Sequence, residues 1–171
     1  MRKVSMVKEK LDDKQILKDI FSKALELADP AKKIEKIKFD PPVGRLFFVA
    51  VGKGAGRLAK SFKKNYQGKT DGFVVIPENE KCYDLGFEVI KSTHPIPSTK
   101  GLDASLKILD AISRLGKDDL LIFCISGGAS ALLPLPPEGF TLEDEIQLNK
   151  TLLSSGLSIK EMNLYRGMFS Q

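Results

Sequence analysis

Leu120-Leu121-Ile122-Phe123-Cys124-Ile125 is an unbroken apolar run that stops at Ser126-Gly127-Gly128-Ala129-Ser130. Leu46-Phe47-Phe48-Val49-Ala50-Val51 does the same and stops at Gly52-Lys53-Gly54-Ala55-Gly56. Continuous rather than alternating runs are the pattern of parallel strands covered on both faces. Each therefore predicts a fully buried strand opening into a loop of small residues. In open α/β sheets ligands bind at the carboxyl ends of the strands, where such loops expose backbone N–H groups to an anion.

The rest of the chain alternates in the same way. Asp12 or Asp13 can cap a first helix whose apolar face is Ile16, Leu17, Ile20, Phe21, Ala24, Leu25 and Ala28. Asp29-Pro30 punctuates it, and a short helical segment follows through Ile34 and Ile37. A turn at Asp40-Pro41-Pro42-Val43-Gly44 precedes the first strand. A basic amphipathic helix then runs to about Gly68. Phe73–Ile76 and Phe87–Ile90 read as two more strands, and Ser98 or Thr99 can cap the helix before Leu120. Thr141-x-x-Asp144 approximates a capping box, and Ser158-x-x-Glu161 is one. Strand–helix alternation over 171 residues predicts one α/β domain, residues 1–171, a three-layer Rossmann-like fold with a mostly parallel sheet.

Composition removes several classes. The longest aliphatic stretch is far shorter than the ~20 residues of a membrane helix. Met1–Glu9 is basic without an apolar core, and Glu9, Asp12 and Asp13 argue against a transit peptide, so a cytoplasmic protein is expected. Neither cysteine has zinc-type or disulfide-framework spacing, and no metal ligands are identified; Cys124 reads as an inert buried thiol, Cys82 as part of a polar stretch. Arg57, Lys60, Lys63 and Lys64 share a helix face, but no aromatic or Gly-rich RNA-binding signature accompanies them, so no nucleic acid partner is expected.

Three strand ends could carry chemistry. Gly52-Lys53-Gly54 fits neither GxGxxG nor GxxxxGK[ST]. Glycines that admit a ligand, a helix start and a lysine charge suit a phosphate or carboxylate; a tight turn with a solvent lysine is the alternative. His94, the only histidine, stands among Thr93, Pro95, Ile96 and Pro97, which fix its backbone, so it serves either a site or a neighbouring loop. Ser126, Gly127, Gly128 and Ser130 lack the second glycine of GxSxG, and His94 precedes them, against hydrolase order. Anion binding or close packing remains.

These segments, in this order, resemble the N-terminal domain of the bacterial and archaeal (MOFRL-type) glycerate 2-kinase family: Ala28-Asp29-Pro30, Val51–Gly56, Thr93–Pro97, Ser126–Pro134, Gly139–Asp144 and Glu161–Arg166. The resemblance implies ATP- and Mg²⁺-dependent phosphorylation of the 2-hydroxyl of D-glycerate in a cleft between two domains. It carries the lysine of the family's VGK-like loop onto Lys53, to hold the glycerate carboxylate or the transferring phosphoryl group. It makes Gly52, Gly54, Ser126, Gly127, Gly128 and Ser130 an anion cradle. His94 and Asn163 line the same cleft, and Arg166 joins Lys53 as a catalytic candidate.

The chain departs from the family after Arg166, where Gly167 replaces a usual lysine, and it stops at Gln171 before the second domain. The expectation is a truncated glycerate kinase domain that is inactive alone. Two alternatives stay open: a hydroxypyruvate reductase, against which the glycine spacing counts, and a non-catalytic ligand-binding module. Leu164, Met168 and Phe169 on the last helix should be poorly covered, which makes that helix a self-association surface.

Overall fold

The computed structural model describes residues 12–81 and 83–171, so Cys82 and the Met1–Glu9 segment lie outside the described residues. Strands β1 (Leu46–Val51), β2 (Asp71–Pro77), β3 (Glu88–Ser92) and β4 (Leu120–Ile125) form one sheet in the order β3-β2-β1-β4. Every pairing is parallel. Helices α1 (Asp13–Ala28), α2 (Pro30–Ile34), α3 (Ala55–Asn65), α4 (Thr99–Ser113), α5 (Ala129–Leu132), α6 (Leu142–Ser154) and α7 (Ile159–Met168) complete the described elements. The expected three-layer α/β architecture is present.

Two apolar cores explain the layers. Successive side chains of a strand point to opposite faces. On one face Phe48 and Ala50 meet Ala55, Ala59 and Phe62 of α3, with Val74, Ile76 and Phe87. The small Ala55 and Ala59 let α3 lie close to the sheet. The Phe48 ring stacks on Phe62 at 4.3 Å and on Phe87 at 5.0 Å between centroids. On the other face Val49 and Val51 meet Val75, Ile108 of α4 and Leu132 of α5.

The basic face of α3 is engaged within the molecule. Arg57 pairs with Asp29, which also accepts the Ala31 N–H and so caps α2. Lys64 pairs with Glu35 at 3.2 Å, and Lys60 and Lys63 lie over the Tyr83 and Phe87 rings. Both capping boxes form: Thr141 with Asp144 on α6, Ser158 with Glu161 on α7. Ser98 takes the N-cap position of α4 without a side-chain cap bond.

Burial departs from expectation in four places. β4 is an edge strand, not a fully buried one: with a neighbour on one side only among the described residues, Phe123 is 41% and Ile125 68% exposed. The Cys124 thiol is only half-buried, and that burial raises its pKa. The apolar face of α1 is uncovered among the described residues, with Leu17, Ile20, Phe21 and Leu25 all exposed. On α7, Leu164 and Met168 are exposed as expected, but Phe169 packs edge-on against Phe140 at 4.8 Å.

Phe48 lies at the centre of the aromatic stack with no exposed surface. Phe48→Ala is expected to destabilise the domain by about 3–5 kcal/mol, read as a lower denaturant midpoint with an unchanged m-value. A loss below about 1 kcal/mol would show that α3 is not anchored through this stack.

Candidate functional site

The site starts from strand pairing. β1 and β4 run parallel in register, Val51 opposite Ile125, so the loops that follow them leave the sheet side by side. Ser126 joins them: its N–H and hydroxyl both donate to the Val51 carbonyl, at 2.9 and 3.1 Å. The same hydroxyl accepts the Gly54 N–H at 3.0 Å. The Lys53 N–H donates to the Gly127 carbonyl at 2.9 Å. Gly52 has φ +117°, and a Cβ there would stand 2.2 Å from Ser126 Oγ. Only glycine permits both that backbone and that approach.

This geometry divides the expected cradle. The N–H groups of Gly52, Lys53, Gly54 and Ala55 all have intramolecular acceptors. Gly52, Gly54 and the Ser126 hydroxyl therefore hold the two loops together. The first loop offers a ligand its Lys53 side chain, which is exposed. In the second loop, the Gly127 and Gly128 N–H groups have no acceptor among the described residues.

Gly128 is where the three loops meet. Its φ is +91°, and a Cβ would lie 2.8 Å from His94 Cδ2 and 3.5 Å from Lys53 Cε. His94 follows β3, at the far edge of the sheet, so its loop crosses the carboxyl ends of β2 and β1 to reach Gly128. The Thr93 hydroxyl braces that loop on the Ile96 carbonyl at 2.6 Å, and the His94–Pro95 peptide is cis. Burial lowers the His94 pKa below its ordinary 6.5, and the Lys53 and Arg166 charges add to the shift. All three effects favour the neutral imidazole.

Arg166 reaches this centre from α7. Its Nε donates to Asn149 Oδ1 at 2.9 Å, and Nη1 lies 3.5 Å from Asn163 Oδ1. Asn149 is fixed in turn by donating to the Glu145 carbonyl at 3.0 Å. A cavity of about 360 Å³ is lined by His94, Ser126, Gly128, Ser130, Asn163 and Arg166. A second, of about 270 Å³, shares Ser130, Asn149, Asn163 and Arg166 and adds Glu145. All ten sequence-expected residues thus fall on one continuous cleft or in the two loops that form its wall.

Glu145 and Asn149 escaped the sequence reading. Glu145 is 7% exposed, and its Oε2 has no hydrogen-bond partner. Burial raises its pKa from 4.5 to about 7. The available signal was spacing: Glu145, Asn149 and Leu152 recur at i, i+4 and i+7, so two polar residues share the buried stripe of α6. Among the described residues no group of three His, Cys, Asp or Glu side chains is placed to hold a metal ion.

Residues 16–171 match the family described as Domain of unknown function (DUF4147). The chain belongs to this family. A D-glycerate 2-kinase of Thermotoga maritima is 32% identical over 161 residues, which are 92% of this chain and 38% of that protein. An Agrobacterium vitis protein with a provisional hydroxypyruvate reductase name is 33% identical over 154 residues, 90% of this chain and 35% of its own length. The crystal structure of a Thermotoga maritima glycerate kinase superposes with a TM-score of 0.76 at 33% identity, covering 92% of this chain and 39% of that one. A Pyrococcus horikoshii structure gives 0.77 at 29% identity, covering 94% and 39%. This DUF4147 chain therefore spans less than two fifths of these relatives.

A carboxyl whose folded pKa lies above its unfolded value destabilises the fold as pH rises between the two. For Glu145 that window runs from 4.5 to about 7. Glu145→Gln is therefore expected to melt at a higher temperature than the parent at about pH 8, with the gap closing below about pH 4.5. Thermal unfolding across pH checks this, and a gap independent of pH would show that the buried charge is not its cause.

Proposed function

We propose that this domain, as the first of two, is the phosphate-binding half of a glycerate 2-kinase. The reaction is transfer of the γ-phosphoryl group of ATP to the 2-hydroxyl of D-glycerate. The observation that carries the reading is the convergence of Lys53, His94 and the Arg166 side of the cleft on Gly128, in a chain similar to a D-glycerate 2-kinase.

Phosphoryl transfer depends mainly on positioning and charge neutralisation. The free Gly127 and Gly128 N–H groups and the Lys53 ammonium can receive phosphoryl oxygens, and the missing Cβ of Gly128 leaves room for them beside His94. His94, shifted toward its neutral form, can hydrogen-bond a ligand there with little added charge. Arg166, held by Asn149, supplies a second fixed cation for the acid or the phosphoryl group. The cleft beside Gly128 is lined by no carboxylate, and the adjoining cavity by Glu145 alone next to the Arg166 cation, so the described residues do not fit a Mg²⁺ site, which takes one or two carboxylates plus substrate oxygens. Small soluble reactants fit a cytoplasmic protein.

The Agrobacterium vitis relative favours hydroxypyruvate reduction as a second reading. One pair of assays separates the two. The chain alone is expected to give no glycerate-dependent ADP. Fused to the part of the Thermotoga maritima enzyme it does not cover, it should turn over ATP with D-glycerate, and Lys53→Ala should lower kcat/KM by roughly a hundredfold. NADH or NADPH oxidation with hydroxypyruvate, or full activity of the Lys53→Ala fusion, would overturn the kinase reading or the role of Lys53 respectively. Loss of both activities in a folded fusion would favour the non-catalytic module.

A further inference from the structure

The outer edge of β4 has its own hydrogen-bonding pattern. The Leu120 N–H donates to the Arg45 carbonyl and the Ser126 N–H to the Val51 carbonyl, both at 2.9 Å. In a parallel strand the N–H and C=O of one residue point to the same side, and successive residues alternate sides. Leu120, Ile122, Cys124 and Ser126 therefore face β1. The N–H and C=O groups of Leu121, Phe123 and Ile125 point away from it and have no partner among the described residues.

The side chains of the same three residues share one face. Phe123 and Ile125 line an apolar groove of about 270 Å³ with Ile108 and Leu109 of α4 and with Leu133. Leu121 packs into the core on that side. β4 carries no charge, no proline and no glycine, and it pairs with β1 without a bulge. Such an edge is a template for a further strand.

We propose that a second copy of this chain takes that place, β4 against β4, antiparallel about a two-fold axis through Phe123. A two-fold axis normal to the sheet keeps the α4 faces of both copies on one side, so residues of the same face stand opposite each other. Centring on Phe123 makes hydrogen-bonded pairs of Phe123 with Phe123 and of Leu121 with Ile125, and a non-hydrogen-bonded pair of Ile122 with Cys124. Every outward backbone group then has a partner, and every facing pair is apolar. Centring on Ile122 would set Ile125 against Asp119, whose N–H is given to the Gly116 carbonyl and whose carboxylate holds Arg45. Charge favours the first register. Beyond the strand it sets Asp119 and Asp118 against Gly127 and Gly128, the loop with free N–H groups beside Lys53, and Lys117 against Ala129. No like charges oppose each other. A six-residue edge is smaller than the ~800 Å² per partner of a standard interface, so a dissociation constant of roughly 10–100 μM is expected. The pairing is independent of the kinase reading.

Sedimentation velocity of the full chain tests the proposal. The mass is expected to rise from 18.9 kDa in dilute solution toward about twice that value at roughly 300 μM. Phe123→Lys, at a half-exposed position, should stay monomeric throughout, whereas Phe21→Lys on α1 and Met168→Lys on α7 should dimerise as the parent does. Amide hydrogen exchange supplies a reading on the unmodified chain, whether or not a variant folds. The Leu121, Phe123 and Ile125 amides should exchange roughly three- to fivefold more slowly in concentrated than in dilute protein, while Ile122 and Cys124 stay slow in both. A monomer at the highest concentration would overturn the proposal. So would a dimer in which the three amides exchange as fast as in the monomer, or one lost in Phe21→Lys or Met168→Lys and kept in Phe123→Lys. Assembly beyond the dimer would overturn the two-fold closure. Slow exchange of the three amides at every concentration would give the edge to this chain's own Met1–Leu11 segment and overturn the second copy.

Discussion

The Ser126 hydroxyl holds the two loops on which the site depends. It accepts from Gly54, donates to Val51, and stands where any side chain at position 52 would have to be. Parallel pairing of β1 with β4 brings the loops to the same height, but pairing alone would leave them free to splay. The small hydrogen-bonded serine draws them together, and Gly52 gives up its Cβ to allow it. Lys53 then emerges on one side and Gly128 on the other, close enough for Lys53 Cε to reach the space a Gly128 side chain would fill. Glycine richness here serves close packing first, and at Gly128 it leaves the space that His94 and Lys53 border.

Charge is distributed around that contact with little redundancy. Lys53 and Arg166 both depress the His94 pKa, which places all three in one electrostatic field. That field favours the uncharged form of the histidine over a third positive charge. The surface ion pairs elsewhere, such as Lys100–Glu78 and Lys107–Glu88, are exposed and contribute little to stability. Glu145 is different because it is buried, unpaired and next to a cation-lined cleft. Desolvation makes its protonation respond to whatever enters the cavity.

Strands and caps were legible because they depend on local rules. β1 and β4 stand at the expected residues, and the Thr141 and Ser158 boxes close through side chains three residues apart. The three loops were legible as exceptions, glycine or proline clusters after apolar runs. What the sequence left hidden depends on what covers a surface. The periodicity of α1 shows which face is apolar, not that the face finds no partner among the described residues. Leu120–Ile125 has an interior composition whether or not a second neighbour flanks it. The division of labour in the Lys53 loop was also hidden, because it follows from one hydroxyl supplied by a residue 72 positions away. Glu145 is one of three acids in the first turn of α6, and only the approach of α7 through Arg166 and Asn149 shows that it faces inward.

The position of β4 bears on how the site works. Natural edge strands are blunted by lysines, prolines or bulges, and Leu120–Ile125 carries neither lysine nor proline while exposing Phe123 and Ile125. The strand has the composition of an interior strand in the place of an edge strand. It also carries the loop that makes one wall of the cleft. Uncovered apolar surface on β4 and an open side of the cleft beside Gly128 thus occur together. Electrostatic stabilisation is strong only where water is excluded. The Lys53 side chain is exposed and Gly128 is partly buried, so on the proposed reading an anion held between them would be stabilised more strongly the more water is excluded from this side of β4.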